Sequence, residues 1–196
     1  MSTITLTQTY HAKDLTGKPF IRRLVAFLID YGIIIAVQVL VIIYVLLHFA
    51  IAFAIIGRDF ELIDAPDLVY GFIDALLFFG YYIVFEWLYG ATPGKLLLGM
   101  HVVKMDGGQC DIKAAVARAL FLNIDTMLFG LLAYLSMRPP LYRRIGDRVA
   151  GTIVVNRNEV LALLPPFWWF LVATAVYLMI TTLLIATLVV SLCRII

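Results

Sequence analysis

Apolar and polar positions divide the chain into three long hydrophobic runs and a more polar middle. From Leu24 to Ile56 the run is broken only by Asp30, Gln38 and His48. About 20 apolar residues suffice to cross a bilayer, so this stretch predicts one tilted or overlong helix. Its crossing falls at Phe20 to Leu47, with His48 at the far surface. The second run, Leu68 to Tyr89, places Asp67, Tyr70, Gly71, Asp74, Phe78, Tyr81, Tyr82 and Phe85 at three- and four-residue steps, a stripe suited to packing against other helices. The third run, Phe167 to Cys193, is free of charge and follows Pro165 and Pro166, with Trp168 and Trp169 as interfacial anchors. Thr174, Thr181, Thr182 and Thr187 can bond back onto this helix, which reads as a lipid-facing scaffold or an oligomer contact.

The middle alternates short elements. Thr92 followed by Pro93 predicts a helix start with a side-chain cap. TPGK lacks the spacing of a phosphate-binding loop, and Leu96 to Met100 read as interfacial. Val102 and Val103 lead into Met105, Asp106, Gly107 and Gly108, a turn that ends a short strand. Thr152 to Val155 predicts a second strand that pairs with His101 to Lys104 in a two-stranded ribbon. Between them, Asp111 caps a helix that runs from Ile112 to about Met137, with a bend available at Gly130.

Charge sets the topology. Lys13, Lys18, Arg22 and Arg23 precede the first run, whereas GRDFELIDAPD after it carries Asp59, Glu61, Asp64 and Asp67 against Arg58. The positive-inside rule puts the amino terminus in the cytoplasm and this loop outside. Lys95, Lys104, Lys113 and Arg118 before the segment Ala119 to Met137, and Arg138, Arg143, Arg144, Arg148 and Arg157 after it, make both of its flanks basic. A single crossing there breaks the rule, so a re-entrant or interfacial helix is expected. The ribbon is then cytoplasmic. With 196 residues, 63% of them hydrophobic, and a mean hydropathy of +1.00, the chain is too apolar for a soluble domain and too short for a large transporter. The expected class is an all-α integral membrane protein: three full transmembrane helices, a re-entrant or interfacial helix and a short cytoplasmic two-stranded ribbon. The polar, Ser- and Thr-rich start shows no signal-peptide cleavage pattern. Cys110 and Cys193 fall on opposite sides of the membrane, which disfavours a disulfide, and His11, His48 and His101 have no metal-ligand spacing.

Several ionisable residues lie where they need partners. Arg23 and Asp30 are seven residues apart on one helix face, with Asp30 about 10 Å deeper along the axis. A carboxylate at that depth must find a cation, face protein or a wet cavity, or take up a proton, so Arg23 is the expected partner. Glu86 pairs with Arg22, Arg23 or Lys95, or else is hydrated at the headgroup level. Asp74 sits within two turns of the outer surface. Arg118 and Asp125 repeat the seven-residue spacing, which points to a cross-braced cluster of Arg and Asp at the cytoplasmic side.

RRLVAFLID, FEWLYGATPGKLLLGMHVV, the DGG turn with its basic helix, and IGDRVAGTIVV occur in an order that resembles the RDD family of small bacterial membrane proteins. The resemblance covers Phe20 to about Asn156. It divides the chain into a polar cytoplasmic segment (1–19), the membrane domain (20–156), and a linker with an additional span (157–196). Arg23 and Asp30 match the family's arginine and first aspartate. Asp147 is the choice for the second aspartate, with Asp125 as competitor. The resemblance implies a bacterial inner-membrane location and a role in transport, some similar proteins being linked to exchange of monovalent cations for protons. Two readings follow. In the first, Asp30, Glu86 and Asp125 bind Na+ or H+ and Arg23 tunes them. In the second, Arg23, Asp30, Glu86, Lys95, Arg118, Asp125 and Asp147 brace the fold of a non-transporting accessory protein that stabilises or recruits another membrane protein. Two acids also raise intramembrane aspartyl proteolysis, but IGDR lacks the apolar helical setting that chemistry needs, so no enzymatic activity is expected. No cofactor, metal or nucleic-acid partner is expected; the partners are the lipid bilayer and a second copy or another membrane protein.

Overall fold

The computed structural model describes residues 16–56, 60–62, 67–126, 130–160 and 164–195. The expectations for residues 1–15, for the acidic loop at 57–59 and 63–66, and for the side chains of His48, Glu61, Asp67, Thr187 and Cys193 lie outside the described residues. Among the described residues, three helices are long and apolar enough to cross a membrane. They are α1 (Phe20–Ile56), α2 (Asp67–Leu88) and, near the carboxyl end, Trp168–Leu192. Between the second and third lie α3 (Pro93–Leu97), β2 (Met100–Lys104), α4 (Ile112–Thr126), α5 (Leu131–Ser136), α6 (Ile145–Val149) and β3 (Thr152–Asn156), so that the last helix is α7. A short β1 (Phe60–Leu62) pairs antiparallel with β4 (Cys193–Ile195). That pairing puts the α1–α2 connection and the chain's end together, at the opposite pole from the polar middle.

The ribbon predicted from the two valine-rich stretches is present. β2 and β3 are antiparallel, with His101 opposite Val155 and Lys104 opposite Thr152. A single 3-10 turn, Arg157–Glu159, follows it. Residues Met100 to Val103 and Thr152 to Val155 are all buried. This overturns the interfacial reading of Met100, whereas Leu97 is 72% exposed. The ribbon packs its Met100, Val102 and Val154 onto Ala26 of α1 and onto Ala114 and Ala115 of α4. Alanines here let the backbones approach closely. Lys18 N–H donates to the Val154 carbonyl at 2.9 Å, which ties the entry of α1 to β3.

The expected helix from Ile112 to Met137 is two. Asp111 caps α4 as predicted, its Oδ1 accepting from Ala114 N–H at 2.8 Å. Gly130 adopts a left-handed conformation (φ 81°) immediately before α5, which turns the chain as its bend potential suggested. Both ends of this helical pair lie on the ribbon side. Lys104 bridges Asp111 at 2.5 Å before α4, and Arg143 donates to the Thr152 carbonyl at 2.9 Å after α5. The start of α4 and the end of α5 therefore share one pole of the bundle.

The main helical core is aromatic. Tyr81, Tyr82 and Phe85 of α2 meet Ile34 of α1, Ala119 and Leu122 of α4, and Ala173 and Tyr177 of α7. Tyr81 and Tyr177 sit edge to face at 5.3 Å, as do Tyr89 and Phe170. Such geometry sets the positive ring edge against the negative face. The other side of α7, with Leu171, Leu178, Met179 and Leu183, is exposed. Thr174, Thr181 and Thr182 return their hydroxyls to carbonyls one turn back, at 2.8 to 2.9 Å, as expected for a charge-free apolar helix.

Gly90 hands α2 over to the ribbon. It has φ 78°, its carbonyl accepts from Val102 N–H at 2.7 Å, and a Cβ there would stand 2.3 Å from the His101 ring. Gly90→Ala is expected to destabilise the protein through crowding of about 1–3 kcal/mol and a left-handed penalty of about 1–2 kcal/mol. Thermal melting in detergent checks this. Adding His101→Ala should recover the crowding share and leave the backbone share in place.

Candidate functional site

At the ribbon end of the bundle, side chains from α1, α2, α3, α4 and α6 form one buried polar knot. Its spine alternates in charge. Lys95 of α3 donates to Oε1 of Glu86 on α2. Glu86 Oε2 accepts from Arg118 Nε of α4 at 2.6 Å, and Oε1 from Arg118 Nη2 at 3.3 Å. Arg118 Nη1 reaches Asp147 Oδ1 of α6 and the Thr152 hydroxyl at 2.8 Å. Asp147 Oδ2 accepts from Arg23 Nη1 of α1 and from Arg144 N–H at 3.1 Å. Five elements are thereby joined through Lys95, Glu86, Arg118, Asp147 and Arg23, each no more than 7% exposed. Lys95 also lies 5.8 Å from the centre of the Tyr82 ring, where a cation meets the negative face of the ring.

Asp30 belongs to the knot by another route. It is fully buried and accepts from Tyr81 OH at 2.8 Å, Thr92 Oγ1 at 2.6 Å and Gly94 N–H at 2.7 Å. Pure acceptance through both oxygens is the bonding pattern of a carboxylate. Gly94 N–H is one of the amides at the start of α3 that has no partner within its own helix, so α1 caps α3 from outside. Thr92 does not cap α3 with its side chain, contrary to the sequence expectation; its hydroxyl donates to the Asp30 carboxylate instead. Gly94 is required for this approach, since a Cβ there would fall 2.3 Å from the Ala26 carbonyl and 2.9 Å from the Asp30 carboxyl.

The expected Arg23 to Asp30 pair is thus absent, although both residues are in the knot. The reason is directional. Helical side chains lean toward the amino terminus, so Arg23 extends away from Asp30 and its Nε donates to the Lys18 carbonyl at 3.1 Å. The same direction separates Arg118 from Asp125. Arg118 engages Glu86 and Asp147, whereas Asp125 faces Arg144 at 3.7 Å. Of the expected partners of Glu86, Lys95 is present, and Arg118 takes the place considered for Arg22 and Arg23. Asp74 receives the amide of Gln38 at 2.5 Å on the exposed side of α1 and α2.

Outside the three spans, the ionisable groups diverge in behaviour. Burial alone would raise the Asp147 pKa, but Arg118, Arg23 and Arg144 overcome it and hold this carboxyl well below the usual range. Asp125 goes the other way. Its burial raises it and outweighs the opposing pull of Arg144, with Asp147 adding to the rise and the backbone N–H groups of Gly146 and Ile145 reducing it. The Ile145 and Gly146 backbone N–H groups face the Asp125 carboxyl but fall outside hydrogen-bond geometry, and Arg23 Nη2 and Arg144 Nε have no hydrogen-bond partner among the described residues. Arg23, Asp125 and Arg144 are among the residues that line a pocket of about 270 Å³ between α1, α4 and α5. His101, buried and close to Arg157, is pushed down to about 4, and the free Cys110 thiol is pushed up to about 12 by burial. Both stay neutral near pH 7.

The sequence matches the model of the RDD family over residues 18–191. The chain belongs to the RDD family. The match extends past Asn156 and takes in nearly all of α7, so in this RDD protein the last span lies within the family's reach. No curated protein and no solved structure gives a match. Two of the knot's residues carry no signal of their own in the sequence: Tyr81 reads as one member of an aromatic stripe and Arg144 as one of several arginines in a basic run.

Asp147→Asn leaves Arg23 and Arg118 short of a counter-charge, and a broken buried pair costs about 3–5 kcal/mol. Asp30→Asn keeps one acceptor oxygen and should lose only about 1–3 kcal/mol. Thermal melts should therefore rank Asp147→Asn well below Asp30→Asn. Asp125 has the opposite linkage to Asp147. Its raised folded pKa favours the fold at low pH, and that contribution fades as pH rises through the folded value. Asp125→Asn should raise the melting temperature at about pH 8, with the advantage gone near about pH 4.

Proposed function

We propose that this RDD protein is a bacterial inner-membrane protein with its amino terminus, ribbon and polar knot on the cytoplasmic side, and that it acts as a non-transporting accessory to another membrane protein. The orientation follows from charge. Lys18, Arg22, Lys95, Lys104, Lys113, Arg138 and Arg148 all belong to the pole that holds the ribbon, and basic residues are retained inside.

One observation carries the accessory reading. Every carboxylate oxygen of Asp30, Glu86 and Asp147 already holds a donor. An exchanger must release a carboxylate from its partners to load an ion, and freeing one of these leaves an uncompensated buried charge at about 3–5 kcal/mol. The cavity between them, bounded by Arg23, Asp30, Glu86, Lys95 and Arg118, has about 20 Å³, room for about one water. A closed network of this kind holds elements in register. The exposed apolar flanks of α1 and α7 supply the surface for a partner, whether another membrane protein or a second copy.

Asp125 favours a second reading. It is a buried acid of the knot to which no side chain donates a hydrogen bond among the described residues, so if the protein exchanges Na+ for H+, Asp125 carries the proton and Asp30 does not. Reconstitution into proteoliposomes under a pH gradient separates the two. The accessory role predicts no sodium-dependent proton flux from folded wild type, with a membrane partner co-purifying. Flux that is abolished in folded Asp125→Asn and kept in Asp30→Asn would establish exchange instead.

A further inference from the structure

The pocket between α1, α4 and α5 has an apolar wall and a charged floor. Leu24, Phe27, Leu122 and Met137 form the wall, and Leu28, 56% exposed, marks a side opening on the outer face of α1. The floor holds Arg23, Asp125 and Arg144. Arg23 is 7% exposed and Asp125 1%, yet Arg23 Nη2, Arg144 Nε and both Asp125 oxygens have no hydrogen-bond partner among the described residues. Buried guanidinium N–H groups left open are costly unless something accepts from them. Arg144 is held only loosely, 3.7 Å from Asp125 and 3.8 Å from Asp147, so its charge is available.

We infer that this pocket binds an anionic phospholipid of the surrounding bilayer, its phosphate on the guanidinium groups of Arg23 and Arg144 and one acyl chain along Leu24 and Leu28. The open donors support an anion. The guanidinium groups of Arg23 and Arg144 each carry an N–H that nothing among the described residues accepts, and burial pushes the Asp125 pKa upward, the direction that lessens its repulsion of a phosphate. The shape supports a lipid. A free phosphate would occupy the floor and leave an apolar cavity above it, whereas an acyl chain entering beside Leu28 fills the volume from the side where lipid lies. The inference rests on the membrane reading of the three apolar helices and is independent of whether the protein transports.

Native mass spectrometry of the full chain in detergent, titrated with phosphatidylglycerol and with phosphatidylcholine of matched chains, tests it. Phosphatidylglycerol should be retained about tenfold better, the value of one charge-assisted hydrogen bond. Arg144→Gln should remove that preference, Ala133→Trp should abolish retention by filling the pocket without changing charge, and the exposed-site variant Arg148→Gln should leave it intact. Asp125→Asn should bind as wild type. Each variant is compared only as monodisperse folded protein, and Ala133→Trp decides the matter if Arg144→Gln does not fold. Equal retention of the two lipids, an equal loss in Arg148→Gln, retention by Ala133→Trp, or displacement of the lipid by inorganic phosphate at matched concentration would each overturn the proposal. A chain that stays soluble without detergent would overturn the membrane reading itself, which a lipid-blind but detergent-dependent protein would not.

Discussion

Four carboxylates and four cations are packed into the end of a very apolar bundle, and each must find a counter-charge there because lipid and core offer none. The alternating order Lys95, Glu86, Arg118, Asp147, Arg23 is how most of that demand is met. Desolvating a single ion in such surroundings is worth several kcal/mol, and pairing regains it only when geometry and hydrogen bonds are both good. The chain of pairs therefore has little tolerance for displacement of any of the five elements that supply it. An apolar contact between two helices can slide by a fraction of a turn at small cost. A guanidinium bridging two carboxylates on different helices cannot.

The knot also explains why the ribbon sits where it does. β2 and β3 are too short to be stable alone, since an isolated two-stranded pair is marginal in water. Here Thr152 at the start of β3 offers its hydroxyl to Arg118 and its carbonyl to Arg143, while Val102 and Val154 are covered by α1 and α4. Asp30 adds the last restraint by capping α3, which leads directly into β2. The ionic network and the apolar packing act on the same backbone segments, so neither can be altered without the other.

The periphery of the knot is less complete. Asp125 and Arg144 face each other without a hydrogen bond, beside a pocket large enough for part of a lipid. A buried acid that is not locked, next to a cation that is not saturated, is where a membrane protein retains chemical freedom. The locked interior serves as the framework, and this margin is where the network leaves donors open.

Much of this was legible in the chain. The three apolar helices, the α4 cap at Asp111, the bend at Gly130 and the pairing of β2 with β3 follow from hydropathy, capping chemistry and turn signals, which are local properties of neighbouring residues. Arg23, Asp30, Glu86, Lys95, Arg118, Asp125 and Asp147 could all be named as polar groups in want of partners, because an ionisable residue inside an apolar run is conspicuous wherever it ends up. Which group meets which was decided by the tertiary structure. Spacing along a helix placed Arg23 and Asp30 on one face, but the lean of helical side chains and the arrival of Asp147, from 124 residues away, gave the arginine a different carboxylate and left Asp30 to the hydroxyls and amide of α2 and α3. Hydrogen bonding acts over ångströms in space, and separation along the chain says nothing about it.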